Sequence, residues 1–198
     1  MVSNEKLLEM VQNGDFIKVR QALIENIRLE TVKKTCKISD NKIVQRCLKS
    51  ASNLVLASGH TPFSGWNLFC NGYYILADDN FDFGIPEIKK ENQFDFSKIL
   101  NCNAFEDFTN CVMIDKKDLE FFKKIHKKDK LPYRIIVEDK KFYFNPSYLL
   151  DCLNFCNTNT ICLNNSSICI GQSENNNRFF YLLGVSPKSV DKSKYSEN

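Results

Sequence analysis

Phe144-Asn145-Pro146-Ser147-Tyr148-Leu149-Leu150-Asp151-Cys152-Leu153 is the stretch on which the reading of the fold turns. Asn145 places a side-chain acceptor immediately before Pro146, whose missing N–H costs nothing at a first helical position. Leu149, Leu150, Leu153 and Cys156 then recur at spacings of three and four, which predicts a helix with one buried face. Working upstream, Tyr133–Val137 and Lys141–Phe144 read as a hairpin around Glu138-Asp139-Lys140. Before it, Asp115 caps a helix over 115–130 with Leu119, Phe122 and Ile125 inward, preceded by a strand at Val112-Met113-Ile114. Working downstream, Ile161-Cys162-Leu163 and Ile168-Cys169-Ile170 flank a four-residue turn at Asn164–Ser167, and Phe179–Leu183 makes a last strand.

The rest of the chain divides around this run. Ser3 caps a helix holding Leu7, Leu8 and Val11, and Gly14 sits where a stop is expected. Phe16, Val19, Leu23 and Ile27 predict a second helix with one buried stripe. A third starts near Asp40-Asn41, with Ile43, Val44, Cys47, Leu48 and Ala51 on its apolar side. Ser58–Pro62 reads as a loop. Asn71-Gly72, between Trp66–Cys70 and Tyr73–Ala77, reads as a hairpin turn with both turn residues at positive φ. An Asp- and Phe-rich connection follows, with a short helix at Phe96–Asn101. The fold class is α+β: N-terminal helices over 1–53, an antiparallel sheet with packed helices over 54–185, and a polar, flexible tail over 186–198.

Net charge +3 conceals a pattern. Residues 1–50 carry ten basic and six acidic side chains, 51–114 three and eight, and 115–142 ten and six. Two basic segments around an acidic middle admit a polyanionic partner. No run of eighteen apolar residues occurs, so no membrane helix is expected. The start lacks the apolar core and cleavage site of a signal peptide, which leads to the expectation of a cytoplasmic protein with its nine cysteines reduced.

The 144–153 stretch resembles the closing segment of the bacterial DNA polymerase III β sliding clamp, where an "FN-x-x-YLLD-x-L" helix precedes a hairpin and a terminal "YLLMPV"-like strand. The hairpin at 161–170 and Tyr181-Leu182-Leu183-Gly184-Val185 follow here in the same order. Asn71-Gly72-Tyr73-Tyr74-Ile75-Leu76 is similar to the "DG-Y-x-L" hairpins of clamp-like proteins in phages and mobile elements of low-GC bacteria. The resemblance implies helices packed on one face of curved antiparallel sheets, and a role beside DNA in replication. A clamp chain has three such domains. This chain has room for one, so a closed ring implies a homo-oligomer of roughly six copies. The partners implied are double-stranded DNA and a replication protein.

Lys116, Lys117, Lys123, Lys124, Lys127, Lys128 and Lys130 decorate the 115–130 helix. Lysines so placed neutralise phosphates and release counterions without reading sequence. The bland reading is a solvated face, diluted by Asp115, Asp118, Glu120 and Asp129. Cys152, Cys156, Cys162 and Cys169 are one alternative, as a four-thiolate zinc site. Their spacing lacks a C-x-x-C knuckle, and the predicted turn puts Cys162 opposite Cys169 with the isoleucines under the helix, which favours thiols in the core. His60 in its Gly/Pro loop and His126 among the lysines define no triad. Asp78, Asp79 and Asp82 form a carboxylate cluster without a second set of metal ligands. Trp66, Phe69, Tyr73 and Tyr74 could stack bases, but suit cross-strand packing better. No G-x-x-x-x-G-K-[ST], G-x-G-x-x-G or H-E-x-x-H run occurs. The expectation is a non-enzymatic protein with no cofactor and no metal. The competing expectation is a protein-docking module that keeps the fold without touching DNA.

Overall fold

The computed structural model describes residues 2–23, 26, 42–43, 45–46, 59–80, 87–90, 93–100, 108, 110–164, 167–191, 193 and 195. Ile27, Val44, Cys47, Leu48, Ala51 and Asp82 lie outside them. Nine strands form two antiparallel sheets among the described residues. The larger runs β1 (Thr61–Phe63), β2 (Trp66–Cys70), β3 (Tyr74–Asp78), β9 (Arg178–Leu183), β8 (Ile168–Gln172), β7 (Thr160–Leu163) and β4 (Asn110–Met113) in spatial order. The smaller pairs β5 (Tyr133–Val137) with β6 (Lys140–Phe144). The chain is α+β, as its alternating patterns predict: α1 spans Asn4–Gln12, α2 Lys116–Ile125 and α3 Pro146–Cys156.

The large sheet is covered on both faces. On one, α3 packs on the sheet beside α2, in a core that also takes in the β5–β6 hairpin, around Leu119, Leu149, Leu153, Phe144, Ile161, Leu163, Cys169 and Phe180. On the other, Phe96, Leu100 and Phe108 lie over Leu68, Ile75, Phe179 and Tyr181. Central β3 is accordingly buried at every position, the signature of a strand with no solvent face.

Turn chemistry differs from expectation at three hairpins, and at the third the difference changes which face each side chain meets. Phe63 pairs Trp66, so Ser64-Gly65 form a two-residue turn at φ 48° and 83°, and β1 replaces part of the expected loop. At the next hairpin Asn71 precedes the turn. Gly72 alone takes positive φ, at 92°, while Asn71 Oδ1 accepts from the N–H groups of Tyr73 and Tyr74 at 2.9 and 3.1 Å. Between β7 and β8 the register is shifted by one: Leu163 pairs Cys169 rather than Ile168, Cys162 pairs Ile170 rather than Cys169, and Ser167 sits at φ 59°. That one-residue difference exchanges the two faces. Cys169 lies under the helix, and Ile168 and Ile170 pack on the other side with Cys162.

The expectation of reduced cysteines is corrected at β4. Cys111 and Cys162 are cross-strand partners with Cα atoms 4.1 Å apart, and they are disulfide-bonded.

Ser3 caps α1 as predicted, its hydroxyl accepting from the Lys6 N–H, and Gly14 follows at φ 72°. Phe16 and Leu23 are exposed, so the second stripe is not buried at those positions. Ile43 packs against the main core, and the Arg46 guanidinium holds buried Asp151 of α3, its Nε at 2.9 Å. Residues from the first fifty therefore dock on α3. Over 186–198, the segment expected to be a tail, Val190 is buried, and the Tyr195 hydroxyl donates to the Pro132 carbonyl at 2.6 Å while Arg134 lies 4.9 Å over its ring.

Candidate nucleic-acid interface

α2 begins where the Asp115 carboxylate accepts from the N–H groups of Lys117 and Asp118, at 2.7 and 3.4 Å. Its inward stripe is Leu119, Phe122 and His126 rather than Leu119, Phe122 and Ile125. Leu119 is fully buried, Phe122 meets the Tyr133 ring edge-on at 5.2 Å, and His126 lies 4.5 Å from Phe122. The expected inward Ile125 is 54% exposed, on a flank shared with Phe121 one turn away. The helix also ends earlier than 130. His126 caps it by donating its N–H to the Phe122 carbonyl, and the chain turns until Lys130, at φ 50°, donates to the His126 carbonyl at 3.0 Å. Lys127, Lys128 and Lys130 thus stand on that turn.

The turn folds four of the seven lysines into one groove of 550 Å³. Lys123, Lys124, Lys127 and Lys130 line it with Glu120 and His126, and Asn145, Pro146 and Ser147 at the start of α3 form the facing wall. Among the described residues, ion pairs involve none of these four lysines, whereas His126 Nδ1 lies 3.9 Å from Asp129. Lys116 and Lys117 sit at the opposite end of α2, about 10 Å away by helical rise. The Lys116 ammonium is pushed below its usual range by burial, with Cys156 partly opposing. Lys128 is exposed outside the groove lining.

The α3 N-terminus contributes its dipole to the groove but few donors. Pro146 has no N–H, and those of Ser147 and Tyr148 go to Asn145 Oδ1 at 2.9 and 3.3 Å. The groups the groove offers an anion are therefore flexible, point-charge ammonium groups. That suits a repeating phosphate backbone better than one precisely oriented phosphoryl group.

The other sequence candidates are dispersed. Cys152, Cys156 and Cys169 are buried in the core, and burial pushes the Cys156 thiol up to about 12. Cys162 is bonded to Cys111 on the other face. Asp78 is buried and paired with Arg178 Nε at 2.7 Å, away from exposed Asp79. His60 is buried in a bridge to Glu87. Phe69 and Tyr74 are buried, Trp66 meets Phe179 edge-on at 4.8 Å, and only Tyr73 is well exposed, stacked on Tyr148 at 5.2 Å. Those four aromatics form no open stacking platform. Among the described residues, no cluster of His, Cys, Asp or Glu is arranged to hold a metal ion, and no helix is long and apolar enough to cross a membrane.

No protein-family model matches the chain, and no curated protein matches it. Among solved structures it is similar to a putative DNA polymerase III β subunit from Eubacterium rectale, at 16% identity and TM-score 0.38 over 61% of this chain and 41% of that one. It is also similar to the Helicobacter pylori β clamp, solved bound to a DNA ligase peptide, at 13% identity and TM-score 0.36 over 61% of this chain and 40% of that one. The chain thus spans about two fifths of the length of the structures it matches.

Proposed function

We propose that this chain is a non-enzymatic, sliding-clamp-like accessory protein of DNA replication that holds the phosphate backbone of double-stranded DNA in the groove between α2 and α3. The observation that carries the reading is the convergence of Lys123, Lys124, Lys127 and Lys130 in one groove, with no ion pair among the described residues to neutralise them. The resemblance of residues 144–185 to a clamp's closing segment supplies the replication context. Backbone contact by lysine is independent of base sequence, as sliding requires. Lys116, Lys117 and Lys128 add to the field around α2 without lining the groove. If the chain encircles DNA, it does so as a homo-oligomer of roughly six copies.

The test is fluorescence anisotropy with a labelled duplex at low salt, comparing wild type with a variant carrying Lys123→Glu, Lys124→Glu, Lys127→Glu and Lys130→Glu. Wild type is expected to bind and the variant to lose binding, while Lys116→Glu with Lys117→Glu weakens it less. Equal binding by wild type and the groove variant would overturn the assignment. Exposed Phe16 and Ile17, 68% and 77% accessible, favour a second reading: a docking module that uses its helical start against a protein. A partner complex that survives high salt, with no duplex binding at low salt, would select it.

A further inference from the structure

Among the described residues, β4 has β7 as its one neighbour and ends the seven-stranded sheet. Packing holds it weakly: Cys111 is exposed, Met113 is 78% exposed, and Val112 only partly meets the core. Cys111 and Cys162 sit opposite each other in this pairing. Their Cα separation of 4.1 Å marks the narrow, non-hydrogen-bonded kind of antiparallel site. The remaining described cysteines have a different setting. Cys152, Cys156 and Cys169 are sealed in the core, and burial raises the Cys70 thiol. Cys111 is the exposed residue of the pair, and its side is therefore the one from which a reagent in solution approaches. The strand it anchors runs through Ile114, whose N–H donates to the Asn159 carbonyl at 2.8 Å, straight into Asp115, the cap of α2.

We propose that Cys111–Cys162 is a reversible thiol–disulfide exchange site for a low-molecular-weight thiol and its disulfide, and that its state sets how firmly β4 is fastened to β7. In reduction, a small-molecule thiolate attacks the Cys111 sulfur. The Cys111–Cys162 bond breaks, Cys162 leaves as a thiolate and takes a proton, and Cys111 is left in a mixed disulfide. A second small-molecule thiolate attacks the reagent's own sulfur in that mixed disulfide, releasing Cys111, which is then protonated. Two small thiols become one disulfide, and the protein gains two electrons and two protons. Oxidation is the reverse, with the small disulfide as the oxidant. The inference does not depend on the DNA reading.

The experiment uses the wild-type chain equilibrated with reduced or oxidised glutathione, alkylated without denaturant, then acid-quenched and mapped by mass spectrometry, with hydrogen exchange read on parallel samples that are not alkylated. In oxidised buffer the expected product is a cross-linked 111–162 peptide pair. In reduced buffer both thiols alkylate, Cys111 first, while Cys152 and Cys169 stay unmodified. Amides of β4 are expected to exchange about tenfold faster in the reduced sample, since an edge strand opens locally more easily once unfastened. Cys111→Ser should abolish the difference between buffers. Failure of the cross-linked peptide to form, failure of reduction without denaturant, or equal β4 exchange in both states would each overturn the proposal.

Discussion

α2 and α3 lie side by side and start alike, each under a side-chain oxygen that accepts two backbone N–H groups: Asp115 for one, Asn145 for the other. Beyond the caps they diverge. α3 buries Leu149, Leu150, Asp151, Cys152, Leu153, Phe155 and Cys156, whereas α2 buries Leu119 alone. Each fully buried Leu or Phe contributes about 1.5–3 kcal/mol of hydrophobic stabilisation. α3 is thus dictated by the core on almost every side. α2 is held by a narrow stripe, and the rest of its surface is free to carry charge. The contrast separates the residues that make the fold from those proposed to meet a partner.

The most severe challenge to that contrast is truncation in each helix. Leu153→Ala, in the sealed face of α3, is expected to cost about 2–5 kcal/mol in denaturant unfolding. Phe121→Ala, on the exposed flank of α2, should stay within about 0.5 kcal/mol of wild type. Equal losses would break the comparison. Next in size is Gly171→Ala on the sheet beneath α3. A Cβ there would stand 2.4 and 2.7 Å from the fully buried Phe180 ring and 3.0 Å from the Thr160 carbonyl oxygen. Overpacking of this kind costs about 1–3 kcal/mol. The caps come third: Asn145→Ala and Asp115→Ala should each lose about 1 kcal/mol, since both helices start by the same device.

The smallest effect is one of pH. Burial, the largest influence on Cys156, holds its thiol up at about 12 against an ordinary value of 9.0, with Arg178 opposing. The folded state therefore keeps a proton that the unfolded state releases. This contribution to stability is complete below pH 9.0 and declines as pH rises toward about 12. The melting temperature should fall less steeply above pH 9.0 in Cys156→Ala than in wild type, once each is referred to its own value at pH 8. A parallel fall would show that the thiol is not sealed under α3.

How far the sequence revealed all this follows the same division. The order of strand, helix, hairpin, helix, hairpin and strand from β4 to β9 was legible because apolar period and caps agree at every element. Two positions were misplaced by a single residue, and for a common reason. A hairpin's loop length fixes register, and neither Asn71-Gly72 nor Asn164–Ser167 states its loop length in composition alone. The Cys111–Cys162 pair was hidden for the same reason: its partners are 51 residues apart, and only the sheet register brings them opposite. The Arg46–Asp151 contact, across 105 residues, leaves no local signal either. At the candidate site the lysines were visible as a cluster. Which four converge depends on the turn at 126–130, where a stripe of 119, 122 and 126 replaces one ending at 125.

α2 is proposed to meet a phosphate backbone through the groove. The measurement that addresses it most directly is the salt dependence of duplex binding by the wild-type chain, from about 50 to 200 mM monovalent salt. Four phosphate contacts predict that log K falls against log salt with a slope near −3.6, about a hundredfold loss of affinity across that range. A slope near zero, or no binding at the lowest salt, would contradict it.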